Sequence, residues 1–405
     1  MSYAIIDLEV TQALPRYLSA AGNVGIAFIF RYKGRPIGFF MKPLPSRTVL
    51  SQEELESLLS RAIGPKLLQE KIREELVPPQ SEAPFPTLTV AICTKDRPEN
   101  LALCLESLLK IQVTQCSPHF EVLVVDNAPS DEQTRNLVTN FPHVSYVQEP
   151  MAGLNFARNR AIKEASGEIL AYLDDDVTVD SQWLNGLSEA WLENPDAAAF
   201  TGLVLPYELT TKAQILFEER GGFRRGFEKI HYGQILPGNP LYPCGAGIFG
   251  AGCNMAFRRE VLLELGGFDE ALDTGTPLPG GGDLDIFYRI IRAGHVLVYE
   301  PRYLVFHKHR RLLAKLLRQY WSWGLGFMAF VSKTYQRDST QRSKLRRLVS
   351  WWFKDQVHQL GKSLIGHHPL PPRMMLAELW GGVVGLMGEY TRSQRRVERI
   401  RRQFI

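Results

Sequence analysis

Cysteine is scarce in this chain, and its spacing pairs none of it. Five of the 405 residues are cysteine (Cys93, Cys104, Cys116, Cys244 and Cys253), none in a C-x-x-C pair, and an odd count builds no disulfide framework. Reduced, buried thiols in a cytoplasmic protein are the expectation. The opening MSYAIIDLEV lacks a basic stretch followed by a long apolar run, so no secretory signal is expected. No uninterrupted apolar run reaches the ~18 residues of a membrane-spanning helix. No G-x-G-x-x-G follows the first strand of the main alternating region and no Walker loop occurs, which argues against a standard dinucleotide or P-loop site. Acidic charge is thin at one end: from Lys308 onward 20 Lys and Arg face 5 Asp and Glu, whereas the rest holds 27 basic and 38 acidic residues. A basic tail on an acidic body implies an anionic partner, either a membrane surface or a polyanion.

What is present reads as three regions with a linker. Residues 1–80 form a small α+β module. In it AIIDLEV and VGIAFIFRYKGRPIGFFMKPL read as strands, the second a hairpin turning at Lys33-Gly34. SQEELESLLSRAIGPKLLQEKIREEL has helical spacing and opens with a capping box at Ser51 and Glu54. Residues 81–86 end a proline-rich linker, 87–309 form the main domain, and 310–405 are basic and amphipathic. Along the main domain strands alternate with helices: LTVAICT, a helix from Pro98, FEVLVVDNA, DEQTRNLVTN, VSYVQEP, LNFARNRAIKEASG, EILAYL and SQWLNGLSEAWLEN. That order predicts a mostly parallel sheet with helices on both faces, and ligands beyond the carboxyl ends of its strands. Polar residues stand there: Thr94 to Arg97, Asp126-Asn127, and Asp174-Asp175-Asp176.

Three adjacent carboxylates repel one another and call for a metal, arginines or water. In an extended backbone Asp174 and Asp176 share a face while Asp175 points away. Mg2+ and Mn2+ take oxygen ligands, commonly one or two carboxylates plus substrate phosphates. A solvated acidic loop capping the next helix is the plain alternative.

From about Thr87 to His309 the chain resembles the family 2 glycosyltransferases, inverting enzymes of GT-A fold that use nucleotide-diphosphate sugars. The resemblance rests on VAICTKDRPENLALCLESLL, VLVVDNAPSD, GLNFARNRAIKEASGEILAYLDDDV, GAGCNMAFRREVLLELGGFDEAL and GGGDLDIFYRIIRAGH, in family order. It implies a UDP-, GDP- or dTDP-sugar donor, a saccharide or glycolipid acceptor, and Mn2+ or Mg2+ at a DxD motif. Asp126 would read the base, with an Asx-turn as its structural alternative. Thr94 would lie against the nucleoside, and Asp96 would be either a nucleotide contact or a helix N-cap. Asp174 would hold the ribose side, with Asp175 beside it, and Asp176 the metal. His307, or else His309, would complete the metal site. Arg158 would pair with diphosphate oxygens or neutralise the Asp cluster, while Arg160 is a solvated charge.

Asp283 matches the catalytic base, delivered by a glycine-rich loop to a helix start where Asp is also a favoured N-cap. Where the family commonly has Glu-Asp this chain has Gly282-Asp283, which leaves an inactive carbohydrate- or nucleotide-binding relative as an alternative. A sugar nucleotidyltransferase would need a glycine-rich phosphate loop after the first strand, and CTKDRPEN is not one. Asp285 is the second choice for the base, and Asp269 reads as structural. The tail implies interfacial helices on the inner face of the cytoplasmic membrane, or a helical cap with a solvated basic face. No nucleic acid is expected as a partner.

Overall fold

The computed structural model describes residues 2–19, 22–44, 49–76, 85–112, 119–275 and 277–404. Most of the proline-rich linker, and Cys116, lie outside the described residues. The other four cysteines are free and buried.

The chain begins with β1 (Tyr3–Glu9), β2 (Tyr17–Ser19), β3 (Gly25–Tyr32), β4 (Arg35–Pro43), β5 (Val49–Ser51) and α1 (Gln52–Leu76). β3 and β4 form the expected hairpin, with Lys33 and Gly34 at φ 52° and 79°, the left-handed pair that tight hairpins require. β1 adds to β3 in parallel. The capping box closes as predicted: the Ser51 amide donates to Glu54 at 2.9 Å, and the Glu54 amide donates to Ser51 Oγ at 3.3 Å. β3 is apolar on both faces because both are covered. Ile26, Phe28 and Phe30 meet Leu55, Leu58 and Ile63 of the helix side. Ile29, from the opposite face, packs with Leu203, Leu205 and Leu304 of the main sheet.

The main region runs β6 (Leu88–Thr94), α2 (Pro98–Leu108), β7 (Phe120–Asn127), α3 (Gln133–Val138), β8 (Val144–Glu149), α4 (Leu154–Glu164), β9 (Ile169–Asp174), β10 (Val177–Val179), α5 (Trp183–Glu193), β11 (Ala197–Pro206), α6 (Lys212–Glu219), β12 (Ile230–Tyr232), β13 (Asn254–Arg258), α7 (Arg259–Glu264), α8 (Gly282–Arg292) and β14 (Val296–His307). Its sheet has the order β10-β14-β11-β13-β9-β6-β7-β8, with β12 on β14. The half formed by β8, β7, β6 and β9 is parallel, as the alternation predicts. The other half is mixed. β13 runs antiparallel to β9 and β11, β14 is parallel to β11, and β10 and β12 are antiparallel to β14. Apolar clusters cover both faces.

Four long helices follow: α9 (Leu313–Arg337), α10 (Arg342–Leu364), α11 (Pro372–Val384) and, after a kinked segment at Gly385–Glu389, α12 (Tyr390–Arg402). Among the described residues no helix is long and apolar enough to cross a membrane. α9 backs the loop that leads into α8. A Cβ built on Gly281 (φ 102°) would stand 2.8 Å from the Gly326 carbonyl oxygen, and one on Gly326 2.8 Å from Gly280 backbone. Loop and helix therefore meet backbone to backbone, which only glycines on both sides permit.

Candidate active site

Parallel registry brings three strand ends to one level. Thr94 lies beside Asp126, and Cys93 beside Asp174, so the polar side chains share the carboxyl edge of the sheet. Asp126 is fully buried there. Tyr146 donates its hydroxyl to Oδ2 at 2.9 Å, and Oδ1 has no protein partner. Burial holds this carboxyl above its ordinary pKa against the Tyr146 hydrogen bond. A buried acceptor left empty costs about 1–3 kcal/mol, which a ligand N–H would offset. Asn127 instead serves the backbone, donating to Met151 O and accepting from the Gly153 amide.

Asp96 is not a helix cap. It sits at φ 51°, Arg97 occupies the N-cap of α2, and Asp96 Oδ1 accepts the Ser130 amide at 2.8 Å. It ties together the loops that follow β6 and β7.

The Asp triplet departs from simple alternation because β9 ends at Asp174 and a turn takes Asp175 and Asp176. Each carboxylate faces its own cation. Arg158 Nη2 is 3.9 Å from Asp174 Oδ1. Asp175 accepts from Arg97 Nη1 at 3.0 Å and from Thr94 Oγ1 at 2.7 Å, so Thr94 serves Asp175 here. Asp176 Oδ2 takes Arg310 Nη1 at 3.2 Å, with Arg97 at 3.7 Å, and Asp176 Oδ1 lies 3.3 Å from His307 Nε2. The strand pairing Val177↔His307 puts this imidazole next to Asp176. Burial chiefly pushes Asp174 up to about 6, although a third of its side chain stays open to solvent, with Arg158 opposing the shift. Burial would raise Asp176 too, but His307 when protonated, Arg310 and Arg97 outweigh it and hold the carboxyl below its ordinary value. Arg310 went unread in the sequence because it lies 134 residues from its partner.

Behind His307 runs a chain of buried groups. His307 Nδ1 is 2.9 Å from His309 Nδ1, and His309 Nε2 is 2.7 Å from Glu218 Oε1, whose other oxygen pairs with Arg224. A carboxylate only accepts, so His309 carries its proton on Nε2 and offers a lone pair at Nδ1. His307 must then donate from Nδ1, which leaves Nε2 bare toward Asp176. Burial holds both rings neutral, with His307 down to about 4 and His309 to about 3.

Among the described residues no group of three or more His, Cys, Asp or Glu side chains stands ready to hold a metal. The pair Asp176 and His307 still fits one as two of its ligands. Their facing lone pairs at 3.3 Å repel unless a cation comes between them. Cis ligands on an octahedral ion with ~2.1 Å bonds are about 3 Å apart. Donor phosphates and water commonly supply the remaining ligands of Mg2+-type sites. His309, turned toward Glu218, is not placed as a ligand.

Asp283 occupies the first turn of α8, with Gly281 as N-cap. Its Oδ2 accepts the Gly252 amide at 3.2 Å and its Oδ1 the Leu284 amide at 2.9 Å. The capping task falls to Asp273, which accepts the Gly282 amide at 2.9 Å and lies 3.6 Å from Arg158 Nη1. Burial pushes Asp273 up to about 6, with Arg158 opposing. No pattern around Asp273 marks it in the sequence. Gly252 separates Arg158 from Asp283: a Cβ there would stand 3.1 Å from Arg158 Nη2 and 3.1 Å from Asp283 Cβ. Arg158 is thus a buried hub between the Asp triplet and the α8 loop. Asp285 is no free base, since Arg289 Nε (2.8 Å) and Lys333 Nζ (2.6 Å) enclose it. Asp269 is structural as expected, bound by Lys333 and Tyr390 at 2.8 Å each. Arg160 pairs with Glu164 on its own helix.

Comparison with known proteins converges on one family. Residues 89–266 match Glycosyl transferase family 2. The chain is 28% identical over 192 residues to a glucosyl-dolichyl phosphate glucuronosyltransferase of Haloferax volcanii, covering 45% of this chain and 56% of that protein. It is 28% identical over 219 residues to the succinoglycan biosynthesis protein ExoM of Rhizobium meliloti, covering 53% and 64%. The matches thus span a little over half of each of those relatives' lengths. A solved mannosyltransferase from Pyrobaculum calidifontis, in complex with GDP-Man and Mn2+, superposes over 82% of both chains at 17% identity and a TM-score of 0.46. The central part of the chain, residues 89–266, is thus similar to the family 2 glycosyltransferases.

Proposed function

We propose that this protein is an inverting glycosyltransferase that moves a sugar from a UDP-, GDP- or dTDP-linked donor to a hydroxyl of a saccharide or glycolipid acceptor. The observation that carries the reading is the set of carboxylates around one sheet edge: Asp126 with an empty buried oxygen, Asp174 to Asp176 bracketed by cations and His307, and Asp283 across Gly252 from Arg158. Asp126 Oδ1 suits a ring N–H of the base, and Asp174 the ribose. Asp176 and His307 are the residues that would hold Mn2+ or Mg2+; when bound, such a cation offsets charge developing on the diphosphate leaving group. Arg97 and Arg310, both partly exposed, can turn from the carboxylates to phosphate oxygens. Asp283 takes the acceptor hydroxyl proton as the oxygen attacks the anomeric carbon opposite the leaving diphosphate. The carbon–oxygen bond to the diphosphate breaks as the new glycosidic bond forms, and the configuration inverts.

Residues 87–309 would be the catalytic unit. The two relatives, by their names a glucuronosyltransferase acting on glucosyl-dolichyl phosphate and a succinoglycan biosynthesis protein, favour work in cell-envelope or extracellular polysaccharide assembly. Exposed Trp351 and Trp380, with exposed Arg346, Arg347, Lys354 and Arg373 on the same helices, support contact of the tail with an anionic membrane at the inner face of the cytoplasmic membrane. The test is thermal-shift binding of UDP, GDP, dTDP and their sugars, with and without Mn2+ or Mg2+. The expected result is stabilisation by one nucleoside diphosphate only with metal, lost in Asp176→Ala. No stabilisation by any of them would reject the donor site.

A further inference from the structure

Nothing in the sequence gives residues 1–76 a purpose, yet they reach the side chains behind His307. The Phe39 ring of β4 lies under the Arg224 guanidinium, 4.4 Å from ring centroid to Cζ. The same ring packs against the cluster of Ile29, Leu203, Leu205 and Leu304, which Phe306, the residue just before His307, also joins. Arg224 pairs with Glu218, Glu218 holds His309, and His309 holds His307. A second strut stands nearby: Arg31 Nη2 donates to Asp180 Oδ2 at 2.6 Å, with both side chains almost wholly buried. Asp180 follows β10, the strand that pairs with His307.

We propose that the N-terminal module is a built-in support of the cation site. Phe39 seats Arg224, Arg224 orients Glu218, and the Glu218–His309 pair fixes His307 in the tautomer whose bare Nε2 faces Asp176. Glu218, His309 and Arg224 are positioning residues, two and more contacts removed from any substrate. Each link is directional. Glu218 can only accept and a neutral imidazole has one donor and one acceptor, so the tautomer at one end dictates that at the other. The inference rests on the reading of Asp176 and His307 as cation ligands.

Two measurements on the full chain test it. The first is 15N NMR of the metal-free protein labelled at histidine, which reports tautomers directly. His307 should be protonated at Nδ1 and His309 at Nε2, and His307 protonated at Nε2 would overturn the relay. The second is titration with Mn2+, alone and with UDP, GDP or dTDP, alongside a melting curve for each variant. Glu218→Met should weaken Mn2+ by roughly 10–100-fold, the usual cost of losing a partner behind a metal ligand. Glu218→Gln, whose carbonyl still accepts from His309, should stay near wild type, and Phe39→Ala should fall between them. A purely structural Glu218 would lower the melting temperature and leave Mn2+ affinity unchanged. If Glu218→Met binds Mn2+ like wild type while His307→Ala does not, the relay is wrong and the cation site stands. If wild type and His307→Ala bind Mn2+ equally, or neither binds it, the cation reading falls and takes the relay with it. Should Glu218→Met not fold, the tautomers of the wild type decide.

Discussion

The two flanking regions reach the proposed site by different means. The N-terminal module meets the proposed donor half through the apolar face of β3 and β4 and a chain of side chains that ends at His307. The C-terminal helices pack on the α6 side, where Trp323 meets Phe217, and meet the half proposed to carry the base through backbone. Gly326 of α9 abuts Gly280 and Gly281, and one α9 cation, Lys333, joins Asp285 of α8 to Asp269. Groups that bind a cation and a nucleotide need orientation, which hydrogen bonds supply. A base needs its helix placed, which close packing supplies. The flanks therefore differ in what a mutation in each should disturb: ligand affinity on one side, stability and turnover on the other.

The largest effect should come from Asp283, the proposed base. Asp283→Asn keeps an acceptor for the Gly252 amide but cannot take a proton, so kcat should fall by about 10^2–10^4 while donor binding is retained. An active variant in a transfer assay would remove Asp283 from the mechanism and dissolve the contrast between the halves. Next comes Lys333→Met. It leaves Asp269 with Tyr390 and Asp285 with Arg289 alone, and loss of one member of a buried ion pair costs about 3 kcal/mol. The melting temperature should drop and kcat should fall with it, at unchanged Mn2+ affinity. Weakened Mn2+ binding in this variant would show that the C-terminal helices also govern the donor half.

How far the sequence foretold this follows from where partners lie along the chain. β6 through α5 were legible because each element carries its own period and each strand end its own polar residue. The hairpin at Lys33-Gly34 and the capping box at Ser51 were legible because all their atoms lie within a few residues. The mixed half of the sheet was not, since nothing in Ala197–Arg258 records that β13 inserts antiparallel between β9 and β11. The geometry of Asp174 to Asp176 was misread because an extended period was continued through a turn. Arg310 and Glu218 escaped because they meet Asp176 and His309 from 134 and 91 residues away. Asp283 was found for its loop, whereas its neighbour Asp273 does the capping with no marking pattern around it.

The smallest effect, and the one that separates the halves most cleanly, is in pH. Burial holds His307 near 4 and His309 near 3 in the folded protein, below the ordinary value of 6.5. A proton therefore prefers the unfolded chain. The stability this represents is fully present above pH 6.5 and drains away as pH falls toward 3, at up to about 1.4 kcal/mol per pH unit and histidine. Asp174 and Asp273 work in the opposite sense. Burial raises both to about 6, so their burden on stability is full above pH 6 and lifts as pH drops toward 4. A melting curve of the wild type alone mixes the two. Comparing metal-free wild type with His309→Gln cancels the carboxyls, which both proteins carry, and leaves the imidazole. The stability advantage of the wild type should shrink steadily between pH 6.5 and 4.5. A constant gap for His309→Gln would mean that the ring takes its proton inside the fold as easily as in water, and that the donor half is no more tightly tuned than the base half.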